Sequence, residues 1–148
     1  MFPTAVLDKY KTMLRTLLQV DQLDVIEPIP VADLQLRTPR FSLPVELASI
    51  CSTTNYDRAG HSYGKSFRDV WRGLHGHFPH PPDYVAFPRS EDDALQLMQF
   101  ARAEQIALIP YGGGSSVCGG VEATDDPAYQ GTISVDMQHF NQWLAIDH

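Results

Sequence analysis

The residues best suited to chemistry run together in Pro110-Tyr111-Gly112-Gly113-Gly114-Ser115-Ser116-Val117-Cys118-Gly119-Gly120. Three consecutive glycines let a backbone adopt positive φ and approach a ligand without Cβ interference. Successive amides aimed one way make a concavity for an anion, and the two serine hydroxyls add donors. The chemistry this suits is the holding of a phosphate. No Lys follows the glycines, so this is not a Walker A loop, and the spacing is not GxGxxG. As a bare pattern GGGSS also fits a flexible turn. The apolar run Ile106–Ile109 before it, Pro110 and the second pair Gly119-Gly120 argue for a built loop.

Charge sharpens the phosphate reading. The net charge is −7 over 148 residues. Residues 1–90 carry nine acids against ten Lys and Arg, whereas residues 91–148 carry nine acids against the single Arg102. Such a half repels phosphate backbones at long range, which disfavours nucleic acid and anionic membrane as its partners. A phosphate bound there must be held by backbone amides and helix termini.

Other chemistry-bearing types are weighed against simpler roles. His75, His77 and His80 fall within six positions, but no fourth ligand is evident, so they read as exposed loop histidines. Cys51 and Cys118 belong to no CxxC pair and read as free thiols. An acidic neighbourhood would raise the Cys118 thiol and leave it inert. Lys65, Arg68 and Arg72 are within reach of a phosphate in principle and read as solvated. Trp71 and Trp143 read as core or interface residues.

The elements that must position the loop follow from periodicity. Val6, Leu7, Tyr10, Met13, Leu14, Leu17 and Leu18 form one face of a helix over Thr4–Leu18. Its charges and lack of a small-residue cleavage site mark it as no secretory signal, and the expected location is the cytoplasm. No apolar run approaches the roughly 20 residues of a membrane span. Pro28, Pro30, Pro39 and Pro44 predict an extended strap. A short helix is predicted over Leu43–Cys51, capped by Ser42. Ser66 and Asp69 have capping-box spacing, with Phe67, Val70, Trp71 and Leu74 on one face of the following helix and Gly73 and Gly76 to stop it.

From Pro82 the pattern becomes strand Tyr84–Phe87, helix from Ser90 to Glu104, strand Ile106–Ile109. That is a βαβ crossover with parallel strands next or near to each other. Ser90 is the cap, and Glu91, Asp92 and Asp93 favour the helix dipole. The helix buries either Leu95, Met98 and Phe100, or Ala94, Leu97 and Ala101. A polar turn over Glu122–Gly131 leads to strand Thr132–Asp136, and a last strand is predicted near Trp143–Asp147.

Three stretches resemble the FAD-linked oxidases with a PCMH-type domain. They are Pro82-Asp83-Tyr84-Val85-Ala86-Phe87-Pro88-Arg89-Ser90, the loop Ile109–Val117 with Gly119-Gly120, and Ile133-Ser134-Val135-Asp136-Met137. The likeness is to the branch holding glycolate and D-lactate dehydrogenase-like proteins and alkyldihydroxyacetonephosphate synthases. His61, Gly64-Lys65-Ser66 and Asp69 resemble a segment ahead of the domain in the synthases.

The resemblance implies an α/β (α+β) chain: a helical and proline-rich extension over 1–60, a linker with a short helix over 61–81, and the first βαβ-containing part of the FAD domain over 82–148. It implies that Pro110, Tyr111, Gly112, Gly113, Gly114, Ser115 and Ser116 wrap the FAD pyrophosphate, without a covalent link because the loop has no His. It implies hydride transfer from a small hydroxy acid or alcohol to flavin N5, with flavin-assisted ether-lipid synthesis as the alternative. The second FAD subdomain and the substrate cap are expected after His148, so no catalytic residue is assigned. A split enzyme completed by a downstream half and a non-catalytic remnant are the remaining readings.

Overall fold

The computed structural model describes residues 4–23, 26–123, 125–142 and 145. Helix α1 covers Thr4–Leu18, as its periodicity predicts, and none of its residues is buried. The proline-rich strap follows with one 3-10 turn at Val31–Asp33. Helix α2 is only Val45–Ala48, and its N-cap is Pro44, not Ser42. Pro44 has φ −65° and ψ 154°, so the proline itself stands just outside the helix in extended backbone.

Strand β1 (Cys51–Ser52) and helix α3 (Asn55–Gly60) are elements that the sequence patterns do not show. A two-residue strand is too short for alternation to register. Helix α3 is signalled by Thr54, whose hydroxyl accepts from the Asp57 amide at 3.1 Å. Helix α4 (Phe67–Leu74) opens with the predicted Ser66–Asp69 capping box, and Gly76 takes φ +64° just beyond its end.

Strand β2 (Tyr84–Ala86), helix α5 (Glu91–Ala103), strand β3 (Ile106–Tyr111) and strand β4 (Gly131–Asp136) build the sheet, in the order β1-β2-β4-β3. Strand β4 lies between β2 and β3 and parallel to both, while β1 is antiparallel to β2. The crossover therefore links two strands with one strand between them. Strand β3 runs through Pro110, beyond the predicted end at Ile109. It is at the edge of the described sheet, where a missing N–H is tolerated.

Of the two faces open to α5, the helix uses Leu97 and Ala101, leaving Leu95 and Met98 in solvent. Leu97 and Ala101 pack with Leu47, Ala86, Ile106, Ile133 and Val135 in the core. At the other end of the sheet Asp83, with no exposed surface, accepts from the Arg40 guanidinium at 2.8 Å and the Thr132 amide at 2.8 Å. The strap is thereby tied to both β2 and β4. Arg58 of α3, also buried, donates to the carbonyls of Pro82 and Arg37.

Helix α4 reverses the usual arrangement. Its buried residues are Asp69 and Arg72, while Phe67, Val70, Trp71 and Leu74 are exposed. Arg72, predicted to be solvated, instead forks between Asp69 at 2.8 Å and Glu122 at 2.7 Å, over the Tyr63 ring at 4.1 Å. Burial resists the Asp69 charge, but Arg72 and Ser66 together hold its carboxyl below the ordinary carboxylate range. An ion pair through both terminal nitrogens of Arg72 outcompetes the apolar face here because Glu122 arrives from fifty positions away, which helical periodicity does not reveal. The predicted strand near Trp143–Asp147 lies outside the described residues, Ala145 excepted.

Candidate flavin-phosphate site

Tyr111 closes β3 and sets the course of the loop after it. Its ring is buried, and its hydroxyl donates to the Gly60 carbonyl at 3.0 Å. Gly114 then turns at φ +63°, where a Cβ would come within 2.2 Å of the Tyr111 hydroxyl. Only glycine fits that position, by conformation and by space. Gly112 and Gly113 are different. Neither has positive φ, and nothing lies within 4 Å of the place a Cβ would occupy on either. Their freedom is therefore spent outward, as bare backbone facing open space. The amides of Gly113, Gly114, Ser115 and Ser116 donate to no group among the described residues. Free amides beside a space that side chains leave empty are what a diphosphate requires, so the residues present fit the phosphates of FAD.

The far end of the loop is closed by Ser116. Its hydroxyl accepts from the Gly120 amide at 3.1 Å and lies 3.6 Å from the Cys118 sulfur. Its carbonyl accepts from the Lys65 amide at 2.7 Å. Gly64 passes so close beneath that a Cβ there would meet the Ser116 oxygen at 2.0 Å. Residues 60–65 thus form the floor of the loop. Lys65 and Arg68 remain exposed.

His61, at the end of α3, completes that floor and meets Asp136 at the carboxyl end of β4. Its Nδ1 faces the Asp57 carbonyl at 2.8 Å, and its Nε2 faces an Asp136 carboxylate oxygen at 3.0 Å. A carbonyl can only accept, so the ring turns its Nδ1 N–H to Asp57 and its Nε2 edge to the Asp136 carboxylate. The imidazole lies 4.3 Å from the Tyr111 ring, ring centre to ring centre. Sequence reading could not join His61 to Asp136, which stand 75 positions apart; only the resemblance singled out both.

Two other expectations change. The Cys118 thiol is not raised but lowered, first by the Ser116 hydroxyl and then by the Gly120 amide, so local hydrogen bonding outweighs the acidic surroundings. Of the three clustered histidines, only His77 is exposed. His75 stacks on Trp71 with ring centres 3.9 Å apart, and His80 Nδ1 lies 2.7 Å from the Asp125 carboxylate. Among the described residues no group of three His, Cys, Asp or Glu gathers as a metal site.

A glycine loop at the carboxyl end of a parallel strand, floored by a preceding segment, defines a dinucleotide-binding domain, and comparison with known proteins agrees. Residues 82–148 match the FAD binding domain family. The chain is similar to the FAD-linked oxidases, and the matched residues open just ahead of β2. Within that class it is similar to alkyldihydroxyacetonephosphate synthases. It is 38% identical to that of Trypanosoma brucei brucei over 92 residues, 62% of this chain and 15% of the relative. It is 30% identical to that of Dictyostelium discoideum over 130 residues, 88% of this chain and 20% of the relative. Solved structures of alkyldihydroxyacetonephosphate synthase in two crystal forms superpose with TM-scores of 0.68 and 0.71 at 25% and 26% identity. They cover 84% and 86% of this chain, and it covers 24% and 25% of theirs. The chain therefore spans a fifth or less of these two relatives and about a quarter of the solved chains.

Proposed function

We propose that Pro110–Ser116 hold the pyrophosphate of non-covalently bound FAD, and that the chain serves as flavin-binding part of a flavoenzyme of the alkyldihydroxyacetonephosphate synthase kind. The observation that carries the proposal is the open space over Gly112 and Gly113, beside amides that have no partner among the described residues at the carboxyl end of β3. Bound FAD would supply a redox-capable flavin ring. The chain's own residues position its phosphates: amides 113–116 donate, Tyr111 on His61 and Gly60 fixes the entry to the loop, and Ser116 on Lys65 fixes its exit. Non-covalent binding is favoured because residues 110–120 contain no His and both nitrogens of nearby His61 are engaged. The similar proteins support the synthase reading over oxidation of a small hydroxy acid. No residue is assigned an acid–base role.

The test separates folding from binding. A Cβ at Gly112 or Gly113 has no atom of the described residues within 4 Å, so Gly112→Val and Gly113→Val are expected to keep the wild-type circular dichroism and melting temperature. Each is expected to weaken FAD binding, followed by flavin fluorescence and co-elution in gel filtration, by at least about tenfold, or ~1.4 kcal/mol. Wild-type FAD affinity in both variants would sink the assignment.

A further inference from the structure

We propose that α1 is a lipid-surface helix, which seats its apolar face in an anionic bilayer. The face is wide and uncovered. Val6, Leu7, Tyr10, Met13, Leu14, Leu17 and Leu18 occupy a continuous arc of roughly 140° at 3.6 residues per turn. All seven are exposed, Leu17 by 71%, and no residue of the helix is buried.

Width and length choose between occupants. A second copy packing as a two-stranded coil would use the narrow seam Leu7, Tyr10, Leu14 and Leu17. Val6, Met13 and Leu18 would stay in water, and fifteen residues give only about two heptads where a coiled coil sustains three or four. A bilayer surface takes the entire arc.

The charges fit the same occupant. Lys9, Lys11 and Arg15 stand against the single Asp8 within the helix. On the helical circumference Lys11 borders the apolar arc beside Leu18, and Lys9 borders it on the other side, beside Met13. Cations on both margins, with stems that lie along the apolar face and ammonium groups that reach outward, suit an anionic headgroup layer. The pairing of Lys11 with Asp8 is long, 4.0 Å, and exposed, so it offers weak competition. The strongly acidic residues 91–148 cannot share this contact, so α1 would hold the protein with that half turned from the membrane.

The test is flotation of the full chain with vesicles of phosphatidylcholine alone or with about one third phosphatidylglycerol. The wild type is expected to float with the anionic vesicles and to be released as salt approaches 1 M, where the Debye length is about 3 Å. Leu14→Glu with Leu17→Glu keeps good helix formers on a helix that contributes nothing to the core. Its melting temperature is expected to match the wild type, and its floated fraction to fall by about fivefold or more. Equal flotation of wild type and variant, or a wild type left at the bottom of the gradient, would overturn the proposal. So would a concentration-dependent dimer in sedimentation without lipid that the same substitutions abolish, which would give the face to a second copy.

Discussion

The two cysteines sit in opposite settings at the scale of single residues. Cys51 lies in β1, and burial pushes its thiol up to about 11. Cys118 is exposed, with its thiol drawn below the ordinary range by Ser116. Since the thiolate is the reacting species, iodoacetamide at pH 7.5 is expected to label Cys118 in the native protein and to reach Cys51 only on unfolding, as read by mass spectrometry of tryptic peptides. Because Cys118 shares a hydroxyl with the candidate phosphate loop, saturating FAD is also expected to slow its labelling. Equal labelling of both native thiols would contradict the geometry described for β1.

Local chemistry marks the start of α5 more clearly than anything else in the chain. Ser90 accepts from the Asp93 amide at 3.1 Å, the Asp93 carboxylate accepts from the amides of Arg89 and Ser90, and three acids fill the first turn. Ser90→Ala is expected to cost about 1 kcal/mol of stability, measured by urea unfolding, with the slope of the transition unchanged. This element, the capping box of α4 and the glycine loop were all legible in the sequence, because each is written in residues a few positions apart. What was not legible depends on distant partners. Helix α4 shows a clean apolar face in its periodicity, yet Glu122 and Tyr63 draw its Arg72 inward instead. The central place of β4, the strand β1 and the His61–Asp136 contact likewise rest on pairings that no local pattern encodes. In the loop, Gly-Gly-Gly announced a close backbone approach without revealing that, of those three, only Gly114 takes positive φ.

At the scale of the whole molecule, Asp83 joins the strap to two strands. Burial alone would raise its carboxyl, but Arg40 and the amides of Thr132 and Arg40 hold it below the ordinary carboxylate range. Its contribution to stability is therefore complete above the unfolded value near 3.9 and is lost as pH falls through the lower native value. Asp83→Asn is expected to cost about 3 kcal/mol at pH 7, since it removes the buried charge that Arg40 meets at 2.8 Å and leaves only the longer, half-exposed contact to Asp125 at 3.4 Å. In urea melts across pH, that difference is expected to shrink below about pH 4; a constant difference at every pH would contradict the ion-pair role. The sheet order also has a consequence for synthesis. Strands β2 and β3 are made first, yet each is parallel to β4 and neither pairs with the other. A nascent chain emerging at about 5–20 residues per second thus holds two strands apart with a slot between them until Gly131–Asp136 clears the ribosome. For those seconds Ile106 and Ala86 lack their central neighbour, and this window, more than the finished fold, is when the chain most needs a chaperone.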